Sequence, residues 1–267
     1  MTPISVDEQK QLQLNILKAV HDCCEKNGLR YTLIFGTLLG AIRHKGYIPW
    51  DDDIDIGMPR SDYEIFVEKF QSEHFKVYDH RRDEAYDHPY AKVADVRTIV
   101  EEQICMKPIG VNVDVFPLDD LGESFEESVA LVKSLAAIKK KFRIKLLKPS
   151  KKNVWWKRLA IRLLKITVIN KSLKALAEEE CDLIRSKRSE KAAFSAILTD
   201  SALNDCVKSV CPKSFLDEYV DVDFEGEKFK AIKEYDAWLT NMYGDYMTPP
   251  PDGQKTSPHV LGNVYWI

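Results

Sequence analysis

The stretch GTLLGAIRHKGYIPWDDDIDIG, residues 36–57, sets three carboxylates in strand spacing behind a small-residue turn and a basic loop. In DDDIDIGM the apolar Ile54 and Ile56 alternate with Asp53 and Asp55, which is the period of a strand. Both acids therefore leave on one face and both isoleucines on the other. Neighbouring carboxylates repel, and covering them without a counter-charge is costly, so a pair held this way calls for a cation between them. Ligands that are all oxygen favour Mg²⁺ or Mn²⁺ over zinc. The stretch is expected to form the metal-holding centre of a phosphoryl-transfer site. A plain solvated acidic loop would not carry Trp50, Ile54, Ile56 and Met58. An EF-hand calcium loop would start at Asp51, but Ile56 stands where that loop needs glycine and Asp62 where it needs glutamate.

Upstream, RYTLIFG reads as a strand ending at Gly36-Thr37, and TLLGAIRH as a short helix beginning there. Such a helix start offers free backbone N–H groups and a favourable dipole to a phosphate. Arg43, His44 and Lys45 follow, and the two stronger bases could balance phosphate charge. Downstream, Ser61 and Glu64 spell a capping box opening a helix through SDYEIFVEKFQ. YAKVADV and TIVEEQI read as alternating strands, and GVNVDVFPLD as a third that ends at Pro117. On this meander Lys92 and Arg97 either reach substrate phosphates or, as exposed strand bases often do, guard an edge. Asp114 leaves its strand on the face opposite Val113 and Val115, whereas Asp119 and Asp120 read as a loop acid and a helix-proximal charge.

The order of these motifs resembles the nucleotidyltransferase superfamily, with its Gly-Ser/Thr turn, D-x-D strand and third Asp on a later strand, and within it the LicD family. That family includes the bacterial phosphorylcholine transferases and, more distantly, fukutin and fukutin-related protein. The likeness rests on GTLLGAIRHKGYIPWDDDIDIGMPRSDYE, on VDVFPLD at 113–119, on the FEG turn near 225 and on YGDYMTPPP from 243; it is thinnest between about 123 and 215. It implies a mixed α/β fold, a nucleotidyltransferase-like mixed sheet flanked by helices. Residues 1–122 and 216–267 would form the catalytic core and 123–215 an appended basic helical subdomain. It also implies transfer of phosphorylcholine, or a similar phosphorylated alcohol, from CDP-choline or another CDP-alcohol to a sugar hydroxyl of a cell-surface glycan or teichoic acid precursor, with release of CMP. Two Mg²⁺ (or Mn²⁺) ions would be held by Asp53, Asp55 and Asp114, with Asp114 or its bound water taking the acceptor proton. Gly36 and Thr37 would let backbone N–H groups approach the diphosphate, while Arg43 and Lys45 neutralise the leaving group. The rival readings are a D-x-D glycosyltransferase using a nucleotide-sugar and a non-catalytic peripheral membrane adaptor.

The rest of the chain supplies scaffold and a charge anomaly. At 267 residues and 45 % hydrophobic content it can bury one substantial core, or a core with a subdomain. From Asp7 to Asn27, Leu12, Ile16, Leu17, Val20 and Cys24 recur at helical spacing, closed by Gly28. The six cysteines follow no disulfide or zinc spacing, the amino terminus lacks a signal-peptide layout, and no apolar run is long enough to span a bilayer. The expected location is cytoplasmic. Between Ser128 and Ala177 there are fifteen Lys or Arg and no Asp or Glu, so this segment carries +15 in a chain whose net charge is −3. Interleaved with Trp155, Trp156, Leu159, Ile161, Leu163, Leu164 and Ile166, that charge reads as an interfacial helix on an anionic membrane at the inner face, meeting a lipid-linked oligosaccharide acceptor, with a solvated helical face as the alternative. Nucleic acid is the poorer partner, because the aromatics cluster instead of lining a track. VDVDFEGEKFKAI reads as a hairpin turning at Glu225-Gly226 before the helix IKEYDAWLTNMYG. Lys255 and His259, set among prolines in DYMTPPPDGQKTSPH, would contact phosphate from a closing flap.

Overall fold

The computed structural model describes residues 1–83, 86, 88–101, 108–147, 154–189, 191–200, 202–251 and 263–267. Lys255 and His259 lie outside the described residues. After a short strand β1 (Thr2–Pro3), helix α1 (Val6–Asn27) opens with the Ser5 hydroxyl accepting the Glu8 N–H and closes on Gly28, whose φ of 63° is left-handed. Strand β2 (Thr32–Leu33) leads into helix α2 (Phe35–His44), and β3 (Asp55–Pro59) into α3 (Arg60–Lys69). Then come β4 (Phe75–Tyr78), β5 (Ala91–Asp95), β6 (Thr98–Val100) and the long β7 (Asn112–Asp120). Four helices follow: α4 (Phe125–Ser134), α5 (Ala136–Leu146), α6 (Trp155–Ile166) and α7 (Leu173–Ser186). Next are β8 (Phe194–Ile197), α8 (Leu203–Lys208), β9 (Cys211–Pro212), a 3-10 turn (Lys213–Leu216), the hairpin β10 (Tyr219–Phe224) and β11 (Glu227–Ile232), α9 (Tyr235–Tyr243) and β12 (Val264–Trp266).

The fold is mixed α/β. Its main sheet runs β2-β3-β7-β5-β4, with β8 and then β9 added beside the far end of β7. β3 and β7 are parallel and the other pairs antiparallel. The register matters most: Asp55 of β3 lies opposite Asp114 of β7, and Asp114 lies opposite Lys92 of β5. One row across three strands thus carries acid, acid, base. On the next row Ile56, Val115 and Ala91 are fully buried in the core, as the two-residue period of a strand requires.

The principal core packs α1, α2, α3, α9 and the hairpin around this sheet. A second apolar cluster joins Leu121, Val132, Leu135, Ile138, Leu176, Ile184 and Leu198. The 123–215 segment, expected to be helical, therefore also contributes β8 to the sheet and shares its edge with the core.

Helix α1 and the hairpin form as their sequence patterns predict; the turn residues Glu225 and Gly226 sit at φ 52° and 80°. Three local expectations are corrected. α2 begins at Phe35, not after Gly36-Thr37, with Phe35 itself in the left-handed region at φ 46°. The capping box does not form, since α3 starts from Pro59 without a side-chain cap and the Ser61 hydroxyl donates to Asp62, whose carboxylate is taken up by Arg30. β7 also runs through Pro117 to Asp120. Pro117 falls between the residues paired with β5 and those paired with β8, so its missing N–H interrupts neither ladder.

Candidate functional site

A cavity of about 1130 Å³ opens at the amino-terminal end of β3, where the acidic loop meets α1, α2, β5, β7, α5 and α7. Of the residues predicted from sequence, Gly36, Arg43, Asp53, Asp55, Lys92 and Asp114 line it. The acids come from two elements whose adjacency is set by the parallel pairing of β3 and β7, and the loop before β3 adds Asp51 and Asp52. Asp51, Asp52 and Asp53 can each present an oxygen such that all three lie within 4.8 Å of one another.

The electrostatics suit a bound cation. Burial, and then repulsion from Asp53 and Asp114, holds the Asp55 carboxyl well above the ordinary carboxylate range, with Lys92 pulling the other way. Burial and Asp53 push Asp51 up to about 7. A hard divalent ion bound by oxygen would relieve both, and the acids that face it, Asp51, Asp53, Asp55 and Asp114, offer only carboxylate oxygen. Glycine at position 36 fits the same purpose: a Cβ there would stand 2.4 Å from Asp51 Oδ2, so a side chain at this helix start would displace the Asp51 carboxylate.

Several predicted residues have other work. Thr37 is buried and does not line the cavity; its hydroxyl accepts the Asp55 N–H at 2.8 Å and pins the start of β3 to α2. Lys92 is no edge guard, because β5 is internal; its ammonium donates to Asp114 Oδ1 at 2.7 Å and Asn112 Oδ1 at 3.1 Å. Arg43 reaches across to the Tyr246 carbonyl at 2.6 Å, tying α2 to the segment after α9 at the rim. Lys45 is outside the cavity. It caps α2 in the left-handed conformation, exposed, with its carbonyl accepting the Glu225 N–H of the hairpin. Arg97 pairs with buried Asp95 and lies over the Trp266 ring. Cys206 and Cys211 are buried, which pushes each thiol up to about 12, the chemistry of core residues.

The site also holds residues that the sequence reading left in the scaffold. Gln9 and Gln13, one helical turn apart on the buried face of α1, line the cavity, and Gln13 Nε2 donates to the Asp52 carbonyl at 3.0 Å. Two amides on an otherwise apolar stripe were the available signal. Tyr90 stacks on Phe116 with ring centroids 4.2 Å apart and gives the cavity an aromatic wall. At its far side Lys139 of α5 and Glu180 of α7 form a buried pair at 2.7 Å.

Residues 28–153 match the family described as LicD/FKTN/FKRP, nucleotidyltransferase domain, which covers the acidic loop, β3, β5 and β7. The class is thus a nucleotidyltransferase-type domain. Over nearly its whole length the chain is also similar to the lipopolysaccharide cholinephosphotransferase LicD of Haemophilus influenzae, at 31 % identity across 99 % of both proteins. Shorter likenesses, 47 % and 45 % identical over 58 residues, link it to uncharacterised proteins of Rickettsia typhi and Rickettsia prowazekii; each covers 21 % of this chain and about a fifth of the relative. The chain belongs to the LicD family.

Carboxyls held above their usual range keep protons in the folded state that the unfolded chain has already released. Metal-free stability from this cluster therefore falls as pH rises from about 4, the ordinary carboxylate value, to about 7 for Asp51. Saturating Mg²⁺ is expected to raise Tm by about 5 °C at pH 8 and by much less at pH 5, where protons compete for the same oxygens. Differential scanning fluorimetry with and without EDTA reads this directly, and equal or absent shifts at the two pH values would remove the cluster's role as a cation holder.

Proposed function

We propose that the protein transfers phosphorylcholine, or a closely similar phosphorylated alcohol, from a CDP-alcohol such as CDP-choline to a sugar hydroxyl of a cell-surface glycan precursor, of lipopolysaccharide or teichoic acid type, releasing CMP. The observation that carries this reading is the register of Asp55 against Asp114 beside the Asp51–Asp53 loop. The full-length likeness to a lipopolysaccharide cholinephosphotransferase supports the choice of substrate.

In this reading Asp53, Asp55 and Asp114, with Asp51 beside them, hold Mg²⁺ or Mn²⁺, which supplies neutralisation of the diphosphate and a lowered pKa at the acceptor hydroxyl. The acceptor oxygen attacks the phosphorus bearing choline in line with the bond to CMP. A sugar O–P bond forms, the P–O bond to the CMP phosphate breaks, and CMP leaves with the electron pair. Asp114 receives the hydroxyl proton; Lys92, at 2.7 Å, keeps that carboxylate oriented beforehand. Arg43 at the rim faces the negative charge of the leaving nucleotide. A lipid-linked oligosaccharide as acceptor would place the enzyme peripherally at the inner face of the membrane; among the described residues no helix is long and apolar enough to cross one.

The test is a panel of CDP-alcohols incubated with the full chain, Mg²⁺ and a glycan acceptor. CMP release with CDP-choline and a phosphodiester-linked product is expected. A glycoside formed from a nucleotide-sugar, with every CDP-alcohol left intact, would replace this reading by the glycosyltransferase one.

A further inference from the structure

Helix α6 has no buried residue. With about 100° between successive residues, Trp155, Trp156, Leu159, Leu163, Leu164 and Ile166 occupy one half of its circumference and Lys157, Arg158, Arg162 and Lys165 the other. The six apolar side chains are between 42 % and 76 % exposed. Partial cover falls instead on Ile161 and Lys165, within the basic half, so that half is turned toward the body and the apolar half outward. Nothing local explains why such a helix is formed. Val154 supplies no side-chain cap, and the first turn holds Lys157 and Arg158 but no acid, against the preference of the helix dipole. A helix of this length is marginal in water unless a face of it is buried.

We propose that the apolar half of α6 docks into the interface of an anionic bilayer. Charge chooses this occupant over a second copy of the chain: although Lys139, Lys141 and Lys171 pair with Glu179 or Glu180 of α7, the segment from Ser128 to Ala177 holds no acid of its own and α6 itself carries Lys157, Arg158, Arg162 and Lys165, so two such faces would repel while anionic headgroups would attract. α6 packs on α5, and the Lys145 ammonium of α5 donates to the Val168 carbonyl just beyond α6 at 3.2 Å. α5 in turn lines the catalytic cavity through Phe142, Arg143 and Leu146. Docking therefore sets the cavity one helix away from the lipid surface, where a lipid-linked acceptor would present its sugar; only that last consequence rests on the transferase reading.

Flotation of the full chain with phosphatidylcholine vesicles, with and without phosphatidylglycerol, tests the surface. Binding is expected only with phosphatidylglycerol, accompanied by a blue shift of tryptophan emission that Trp155→Phe with Trp156→Phe removes. Leu159→Glu with Leu163→Glu, at exposed positions of the helix, should weaken binding about tenfold or more. Lys157→Gln, Arg158→Gln and Arg162→Gln together should weaken it about a hundredfold, an effect that added salt mimics. Absence of any preference for anionic vesicles at moderate salt, or binding that both variants retain, overturns the proposal. Self-association abolished by the Leu→Glu pair, without vesicle binding, would assign the face to a second copy and overturns it equally. Hydrolysis or transfer of CDP-choline in solution should be unchanged in the Leu→Glu pair, so failure of docking and failure of the proposed chemistry are read separately.

Discussion

Asp55→Asn is expected to lower turnover by about a thousandfold or more while leaving the metal-free protein as stable as before, or slightly more so. The side chain keeps its shape but loses the charge that Asp53, Asp114 and Asp51 all oppose. Removing one of several mutually repelling, partly covered carboxylates relieves the fold; removing a cation ligand disables the chemistry. The two effects have opposite signs because the site stores repulsion that only a bound cation cancels. Steady-state CMP release gives the first number, and thermal melting in EDTA gives the second. The Mg²⁺-dependent rise in Tm should shrink together with activity. Asp53→Asn should behave alike, since Asp53 is the acid that the structure shares between the compact Asp51–Asp53 group and the Asp55–Asp114 row. Turnover within tenfold of the unsubstituted protein in either variant would sink the assignment.

The acidic strand was legible from sequence because its information is local: two isoleucines alternating with two aspartates require one buried and one acidic face whatever packs behind them. Asp114 could be placed for the same reason, once its valine neighbours were seen to point inward. Helix α1 and the hairpin are equally local, the one through its periodic leucines and Gly28, the other through a turn whose two residues both need positive φ. What stayed hidden depends on partners distant in the chain. Gln13 reads as an exposed amide until the Asp52 carbonyl, 39 residues later, is brought over it. Lys45 looks like part of a basic loop aimed at phosphate, yet closing α2 in a left-handed turn directs it toward the hairpin. Strand β4 carries only four residues, none fully buried, and owes its existence to pairing with β5. Asp119 is the clearest case, an apparent loop acid that turns out to be fully buried.

Asp119→Ala should cost about 3–5 kcal/mol of stability, a large loss for a change away from the cavity. The Asp119 carboxylate has no solvent exposure and receives Arg60 through two bonds, Nε at 2.8 Å and Nη2 at 2.6 Å, while Arg188 adds a third at 3.2 Å. Arg188 is partly exposed and can turn to water, but Arg60 has only 13 % of its side chain accessible and would be left as a charge with Glu64, at 3.6 Å, for company. Desolvated charge without its partner is what makes such a truncation severe. The midpoint of thermal unfolding should fall by about 10 °C. Replacing both partners, Arg60→Leu with Asp119→Leu, should recover much of the loss, because the penalty lies in the orphaned ion and less in the absence of the pair. Turnover per folded molecule should survive both changes, since Asp119 points away from the cavity that Asp114 lines five residues earlier on the same strand. One end of β7 holds an acid matched by arginines and the other an acid among acids beside Lys92. A result in which Asp119→Ala abolished turnover without lowering the melting temperature would reverse that division and move the reacting centre along the strand.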